Sequence, residues 1–491
     1  MKGVSPVVAT VLLIALAVIA SVTAWFWVSP YTVKPALAET SLKAFTVVGV
    51  YKNSSNDGCN ALAIKNTGGQ AITNAFFYVK DYVTGRPVGS NGTSPTYAAY
   101  VNITSANPGS SERFSITSLG SMVWVEANVK DEPTSVTCVA IGDANNDGQN
   151  ETVVGMWPTT NEVRMYKNTS GTWVEANISD EPVIVHSAAV GDANNDGQNE
   201  VVIGMGSTNY EVRMYKNISG AWIETNISNV PEGVESVTIG DANNDGQNEV
   251  VIGMDGSTAV RMYKNTSGSW VEKNISGNGP YYVYSVVIGD ATNDGKNDIV
   301  IGMVTSNENT TRIYENKSGG WVEKNISELN NVYSVAIGDA NNDGQNEVVA
   351  GGYSVEYSLR MYKNISGTWV EANINEVEYS TTYSAAIGDV NNDGQNEVFT
   401  GRLMGPYEVR VYKNTTGKWV ETNISDTPES VVSVAIGDVN NDGQNEAVAG
   451  GDSTNEVRMY QYLSSAVSIP RGSYILRTSS PGFSDIRFTC A

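Results

Sequence analysis

The chain has little from which to build an active site: one histidine (His186) in 491 residues, three cysteines (Cys59, Cys138 and Cys490) and no phosphate-binding glycine loop. Three thiols exclude a disulfide-built scaffold but allow a single bridge. Basic residues are also scarce. Thirty Lys and Arg stand against 53 Asp and Glu, a formal net charge of −23, so no phosphate-neutralising patch can form and nucleic acid is excluded as a partner. Long helical periods are absent beyond the first thirty residues, whereas 48 Gly, 25 Tyr and 10 Trp favour strands and turns.

Those first residues are the exception. No charge occurs from Val4 to Val33, and Val7 to Val28 is apolar apart from Thr10, Ser21 and Thr23. As a helix this run is about 33 Å long, enough to cross a bilayer. Trp25, Trp27 and Tyr31 lie at its outer end, and Lys2 marks a cytoplasmic start. The run lacks a small-residue cleavage site before Trp25, which argues against a removed secretory signal. Lys2-Gly3-Val4-Ser5-Pro6-Val7-Val8-Ala9-Thr10 resembles the class III signal of archaeal type IV pilins. That resemblance implies cleavage between Gly3 and Val4 and a mature helix, 4–35, that sits first in the membrane and then in a filament core made of copies of itself.

The rest of the chain is dominated by a repeat. GDANNDGQNE or a close variant occurs seven times, with its first Asp at 143, 192, 241, 290, 339, 389 and 438, at a spacing of 49 or 50 residues. Each repeat reads as four strands; in the second they are His186–Gly191, Glu200–Met205, Glu211–Lys216 and Ala221–Ile227. Four short antiparallel strands per repeat of this length predict propeller blades that alternate apolar and polar residues. A Trp-Val/Ile-Glu strand begins at Trp124, Trp173, Trp222, Trp270, Trp321, Trp369 and Trp419, so one copy precedes the first acidic loop, and the last repeat stops near Tyr462 without one. The strand at Trp124 should therefore complete the seventh blade and close the ring. His186 falls in a strand whose equivalents are Glu235, Tyr284, Tyr333, Tyr383 and Val432, and a satisfied structural role is expected of it.

The acidic loops have oxygen donors at alternate positions, a turn glycine and a closing acid, the pattern a calcium-sized hard cation requires. The expected ligands are Asp143, Asn145, Asp147, Gln149 (by its carbonyl) and Glu151; Asp192, Asn194, Asp196, Gln198 and Glu200; Asp241, Asn243, Asp245, Gln247 and Glu249; Asp290, Thr292, Asp294, Lys296 and Asp298; Asp339, Asn341, Asp343, Gln345 and Glu347; Asp389, Asn391, Asp393, Gln395 and Glu397; and Asp438, Asn440, Asp442, Gln444 and Glu446. Up to seven structural Ca²⁺ ions follow, with the fourth loop weakest because Thr292 replaces an amide. The loops and their strand context resemble those of FG-GAP (VCBS-type) propellers, including integrin α heads, although the literal Phe-Gly and Gly-Ala-Pro marks are missing.

Residues 36–120 read as a small antiparallel sandwich, with strands in Ala61–Gly69, Ala75–Val79 and Pro108–Ile116. The Ile64-Lys65-Asn66-Thr67-Gly68 stretch is similar to archaeal pilin β-domains. Residues 464–491 read as two returning strands, so the propeller (121–463) is expected to be inserted in the sandwich, which then holds both Cys59 and Cys490. Outside the cell these two could be bridged, with Cys138 a buried free thiol. Asn-x-Ser/Thr acceptors recur at the hairpin turn (Asn168, Asn217, Asn265, Asn316, Asn364, Asn414) and in the outer strand (Asn177, Asn226, Asn274, Asn325, Asn423), both expected on an exposed rim.

The expected protein is mainly β, non-enzymatic and extracellular: a pilus-like filament subunit, membrane-inserted as a precursor, that displays a calcium-stiffened propeller for contact with surface glycans or other cells. The alternative is a singly membrane-anchored adhesin.

Overall fold

The computed structural model describes residues 45–490 except 53–57, 68–71, 82–98, 107–110, 116, 158–162, 170, 181–182, 207–209, 257–258, 277–280, 306–309, 318–319, 328, 330, 355–356, 376–379, 404–408, 426–429, 453–454, 467–468, 471 and 478–485. Gly3, Val4 and the apolar segment 4–35 lie outside the described residues. Among those described, no helix is long and apolar enough to cross a membrane. The chain divides into two compact units, Val123–Leu463 and the residues that flank it, Met1–Met122 with Ser464–Ala491.

The flanking unit holds two antiparallel sheets. One contains Phe45–Lys52, Gly58–Asn66, Ser111–Ser115 and the short Ile469–Pro470; the other contains Ala99–Ala106, Ile72–Asp81, Gly472–Arg477 and Ile486–Cys490. The returning tail thus pairs directly with an early strand, Tyr78 facing Arg477 and Asp81 facing Tyr474. Ala61, Leu62 and Ile64 are buried. Cys490 is buried and disulfide-bonded. Cys138 is a free, buried thiol, which leaves Cys59 as the remaining cysteine.

Val123–Leu463 is a ring of seven four-stranded blades. In the second blade the strands run Val185–Gly191, Glu200–Met205, Glu211–Ile218 and Ala221–Asn229, paired in that order. The expected alternation fails in the second strand, where all six residues of Glu200–Met205 are buried. Its two faces are both covered by neighbouring blades, so it reads as a continuous apolar run, whereas the outer strand keeps polar residues in solvent. The hairpin between third and outer strands turns on Ser219 and Gly220, with φ of 54° and 90° as a two-residue type I′ turn needs.

The core lies between blades rather than within them. Val153, Val163 and Met165 of the first blade pack with Val185, Val201, Ile203 and Tyr215 of the second. The third strand's tyrosine is fully buried in every blade, from Tyr166 to Tyr460. Ring closure follows the same rules as the other blades. The seventh blade takes Thr117–Asp131 as its outer strand. Its Glu126 pairs with Arg458, 332 residues away, as Glu323 pairs with Arg312 and Glu371 with Arg360 inside single repeats. Trp124 packs on Tyr462 with ring centroids 4.9 Å apart.

Two sets of polar side chains stitch neighbouring blades together. At one end, the fourth loop residue, Asn146, accepts the N–H of Asn199 (2.6 Å) and donates to the Asn199 carbonyl (2.9 Å), while Asn199 Nδ2 reaches the Asp143 carbonyl (3.1 Å). This triplet recurs at every junction, including the closing one between Asn441 and Asn150. The fourth-position asparagines hold φ near +60°, which asparagine tolerates better than most residues. On the inner strands, a serine accepts the N–H of the next blade, as Ser187 does from Val237 (3.0 Å) and Ser433 from Val139 (3.0 Å).

The first blade carries Cys138 at the serine position, and burial pushes its thiol pKa up to about 12. A thiol is a poor acceptor, so Cys138→Ser should stabilise the ring by about 1 kcal/mol, read as a rise in Tm. A fall in Tm would mean that sulfur's packing outweighs the added hydrogen bond.

Candidate functional sites: the acidic loops and the channel mouth

Each acidic loop is bounded by the inner and second strands, and its side chains first satisfy the loop's own backbone. Asp143 accepts the N–H groups of Asp147 and Gly148, each at 2.9 Å, and Asp147 accepts that of Gln149 at 3.2 Å. Glu151 is fully buried and takes the Ala144 N–H (3.1 Å) and the Asn145 side-chain amide (2.7 Å). Gly148 sits at φ +85° with open space around it, so its conformation and not crowding requires glycine. The other loops repeat this arrangement, Asp298 taking the Thr292 N–H and hydroxyl in the fourth.

Sequence reasoning missed the partner of these acids. The third strand's lysine lies on the fifth-position aspartate: Lys167 on Asp147, Lys216 on Asp196, Lys264 on Asp245, Lys363 on Asp343 and Lys413 on Asp393. It also approaches the closing glutamate, at 3.7 Å from Glu151 and 3.1 Å from Glu397. In the fourth blade the equivalent residue is Glu315, which pairs with Lys317 and Lys324; in the seventh it is Gln461, 3.1 Å from Glu446. The signal was present in the repeated EVRMYK strand, but only pairing of the second and third strands shows which loop it serves. The fourth loop has therefore lost an amide ligand and gained a carboxylate where five sisters carry an ammonium.

The fit to a hard cation rests on three observations. The donors are all oxygen. Asn145 Oδ1 and Asn194 Oδ1 are buried without a hydrogen-bond partner. Burial also pushes Glu151, Glu347 and Glu446 up to about 7 and Glu249 and Asp298 to about 6, so the closing acid lacks full counter-charge. Against these, no three His, Cys, Asp or Glu side chains among the described residues are grouped as metal ligands. In five loops a cation would compete with lysine.

The sugar acceptors divide into two kinds. Those of the outer strand, Asn177, Asn226, Asn274, Asn325 and Asn423, are exposed as expected. The hairpin set is half-buried, and five of its six spend the side-chain oxygen on the turn, as Asn217 does on the Gly220 N–H (3.0 Å). Asn316 instead donates to the Asn243 carbonyl (2.8 Å).

At the opposite ends of the inner strands a cavity of about 330 Å³ opens on the ring's axis. It is lined by the residue before each inner-strand serine or Cys138: Thr137, His186, Glu235, Tyr284, Tyr333, Tyr383 and Val432. His186 is satisfied, as expected, but by Glu235 (2.8 Å), the residue at its own position in the next blade. Tyr333 and Tyr383 stack with centroids 4.8 Å apart and planes 16° apart, and Tyr284 meets Tyr333 edge-on at 5.3 Å. Trp157 and Asp452, each just after a second strand, also line the cavity. Both are pinned by backbone bonds to the heads of the inner strands, at Ser135 (3.0 Å) and Ser430 (2.9 Å).

A profile of the FG-GAP-like repeat matches residues 143–203, 192–252, 241–301, 293–350, 341–400 and 389–449. No curated protein matches by sequence. Among solved structures, the chain is similar to one in the crystal structure of BBS1N in complex with ARL6DN (12% identity, 70% of this chain and 98% of that one, TM-score 0.49). It is also similar to a chain of the Mitotic Checkpoint Complex (14%, 69% and 90%, TM-score 0.48) and to the Dos1 propeller (11%, 71% and 97%, TM-score 0.43).

Proposed function

Because the chain belongs to the family of proteins built from FG-GAP-like repeats, we propose that it is an extracellular interaction protein, a closed propeller displayed at the cell surface. One observation carries this reading. The blades are near-copies through their loops, second strands and EVRMYK strands, yet one inner-strand position carries five residue types in seven blades, from Thr137 to Val432, and lines a single cavity. A scaffold kept uniform around one varied mouth suits recognition better than catalysis, and it is read as a non-enzyme.

Calcium is the structural ion that the loops suit, held by Asp143, Asn145, Asp147, the Gln149 carbonyl, Glu151 and their equivalents. When bound it would supply positive charge to acids that burial leaves under-compensated. The finer reading keeps residues 1–3 as a signal removed after Gly3. Residues 4–35 then serve as a membrane segment that assembles into the core of a type IV pilus-like filament. It is supported by Lys2–Thr10 and by the uncharged run to Val33.

The test is to shear filaments from native cells, image them by electron microscopy and sequence the subunit's N-terminus. A filament built of this chain starting at Val4 is expected. Recovery only in the membrane fraction with Lys2 intact would leave a singly anchored adhesin; recovery only in the cytosol would overturn surface display itself.

A further inference from the structure

We propose that the channel mouth binds an aliphatic organic cation, an ammonium or guanidinium at the end of a flexible chain. The inference rests on the reading of this propeller as an interaction module and adds the chemistry of what it takes.

The cavity's wall is divided. On one side stand three tyrosines from consecutive blades, Tyr284, Tyr333 and Tyr383, in mutual ring contact. Flanking them are two carboxylates, Glu235 from the blade before and Asp452 from the blade after, with exposed Trp157 at the rim. Burial and the proximity of Glu235 and Glu232 raise the pKa of Asp255, so further acid lies beside Glu235. Among the described residues the lining includes no lysine or arginine, and its imidazole, His186, is already held by Glu235. Several acids elsewhere in this propeller meet a lysine or arginine, as in the Lys167–Asp147 and Arg164–Glu132 pairs. Here Glu235 has only the imidazole of His186, and among the described residues no side-chain base meets Asp452, so a ligand cation can supply the missing charge.

Aromatic faces and carboxylates attract the same kind of ligand. A ring's negative face draws a cation within about 6 Å of its centroid, and a partly dehydrated site strengthens that attraction. A bare metal ion would gain little from three tyrosine rings, and a neutral ligand little from two carboxylates. The volume is at the small end for ligand sites, enough for one side-chain-sized group. The site is also preformed. Gly206 leaves room for His186, since a Cβ there would collide with the imidazole Nε2. The rim residues are tied by backbone hydrogen bonds, so little ordering accompanies binding.

The experiment is isothermal titration of the full-length protein in detergent, with calcium saturating throughout. The probes are agmatine, Nα-acetyl-lysine methylamide and a short lysine-containing peptide; N-acetylglucosamine, galactose and Nα-acetyl-glutamate methylamide are the comparison ligands. Saturable binding of the cations is expected, weakened by added salt and reduced about tenfold by Glu235→Gln and by Tyr333→Ala. Thr172→Ala, on an exposed outer strand, is the control. Tighter binding by the peptide than by agmatine would identify a protein partner, and equal binding a free amine. Sugar binding that depends on Tyr333 but not on Glu235 would overturn the cation assignment and leave the interaction module standing. No binding by a chain that reaches the cell surface would overturn the mouth proposal alone. Absence of the chain from the surface would instead overturn the reading beneath it.

Discussion

In chelator, the propeller's Tm should fall between pH 5.5 and pH 8, and calcium at pH 8 should restore it by on the order of 10 °C. The closing acids set the direction. Burial holds Glu151, Glu347 and Glu446 near 7 and Glu249 and Asp298 near 6, against ordinary carboxylate values of 4.5 and 3.8. The native state therefore binds more protons than the unfolded chain within this window. Stability present below the unfolded-state values is lost as pH rises through the folded ones. Fully buried carboxylates without full counter-charge are the cause, and a cation among the loop oxygens would lower those pKa values and remove most of the slope. The lysines limit the effect in five loops, and Lys317 and Lys324 offset Glu315 in the fourth, so the seventh, with Gln461, should load first. Scanning calorimetry at both pH values, with metal content measured after dialysis, checks this. A flat pH response, unchanged Tm and no retained metal would mean that lysines and backbone capping complete the loops.

A chain that starts at Pro133 and ends at Leu463 should fail to fold as a monomer, whereas one that starts at Val123 should melt cooperatively. The missing stretch supplies the outer strand of the seventh blade, Trp124 against Tyr462, buried Val129 and the Glu126–Arg458 pair. It also removes buried Glu132, the partner of Arg164 (2.7 Å) and Tyr166, leaving a buried guanidinium without that carboxylate. Loss of Val129 and of one side of a buried ion pair costs about 5 kcal/mol or more, comparable with the whole stability of many domains. The opened blade would also present a free edge to other chains. Adding the peptide 123–132 in trans should recover the monomer, measured by size exclusion and circular dichroism. A soluble, cooperative 133–463 would show that six complete blades hold the ring unaided.

The sequence by itself determined the repeat, the four strands of each blade, the place of the acidic loops between them and the shared closure of the last blade. These are local or periodic properties: a run such as EVVIGM, a turn glycine at fixed spacing, or a Trp strand present before the first loop and absent after the last. The returning tail was also legible, because two strands alone cannot bury a face. Tertiary structure decided what depends on one repeat touching the next. Asn146 and Asn199 lie 53 residues apart, and nothing local shows that the fourth and eighth loop positions exist to join blades. Lys167 meets Asp147 across 20 residues only once the strand register is set. His186 looked like one more strand residue because its repeat equivalents are unlike it. Those differences among Thr137, His186, Glu235 and the tyrosines gain meaning only when ring closure turns seven separate positions into one wall.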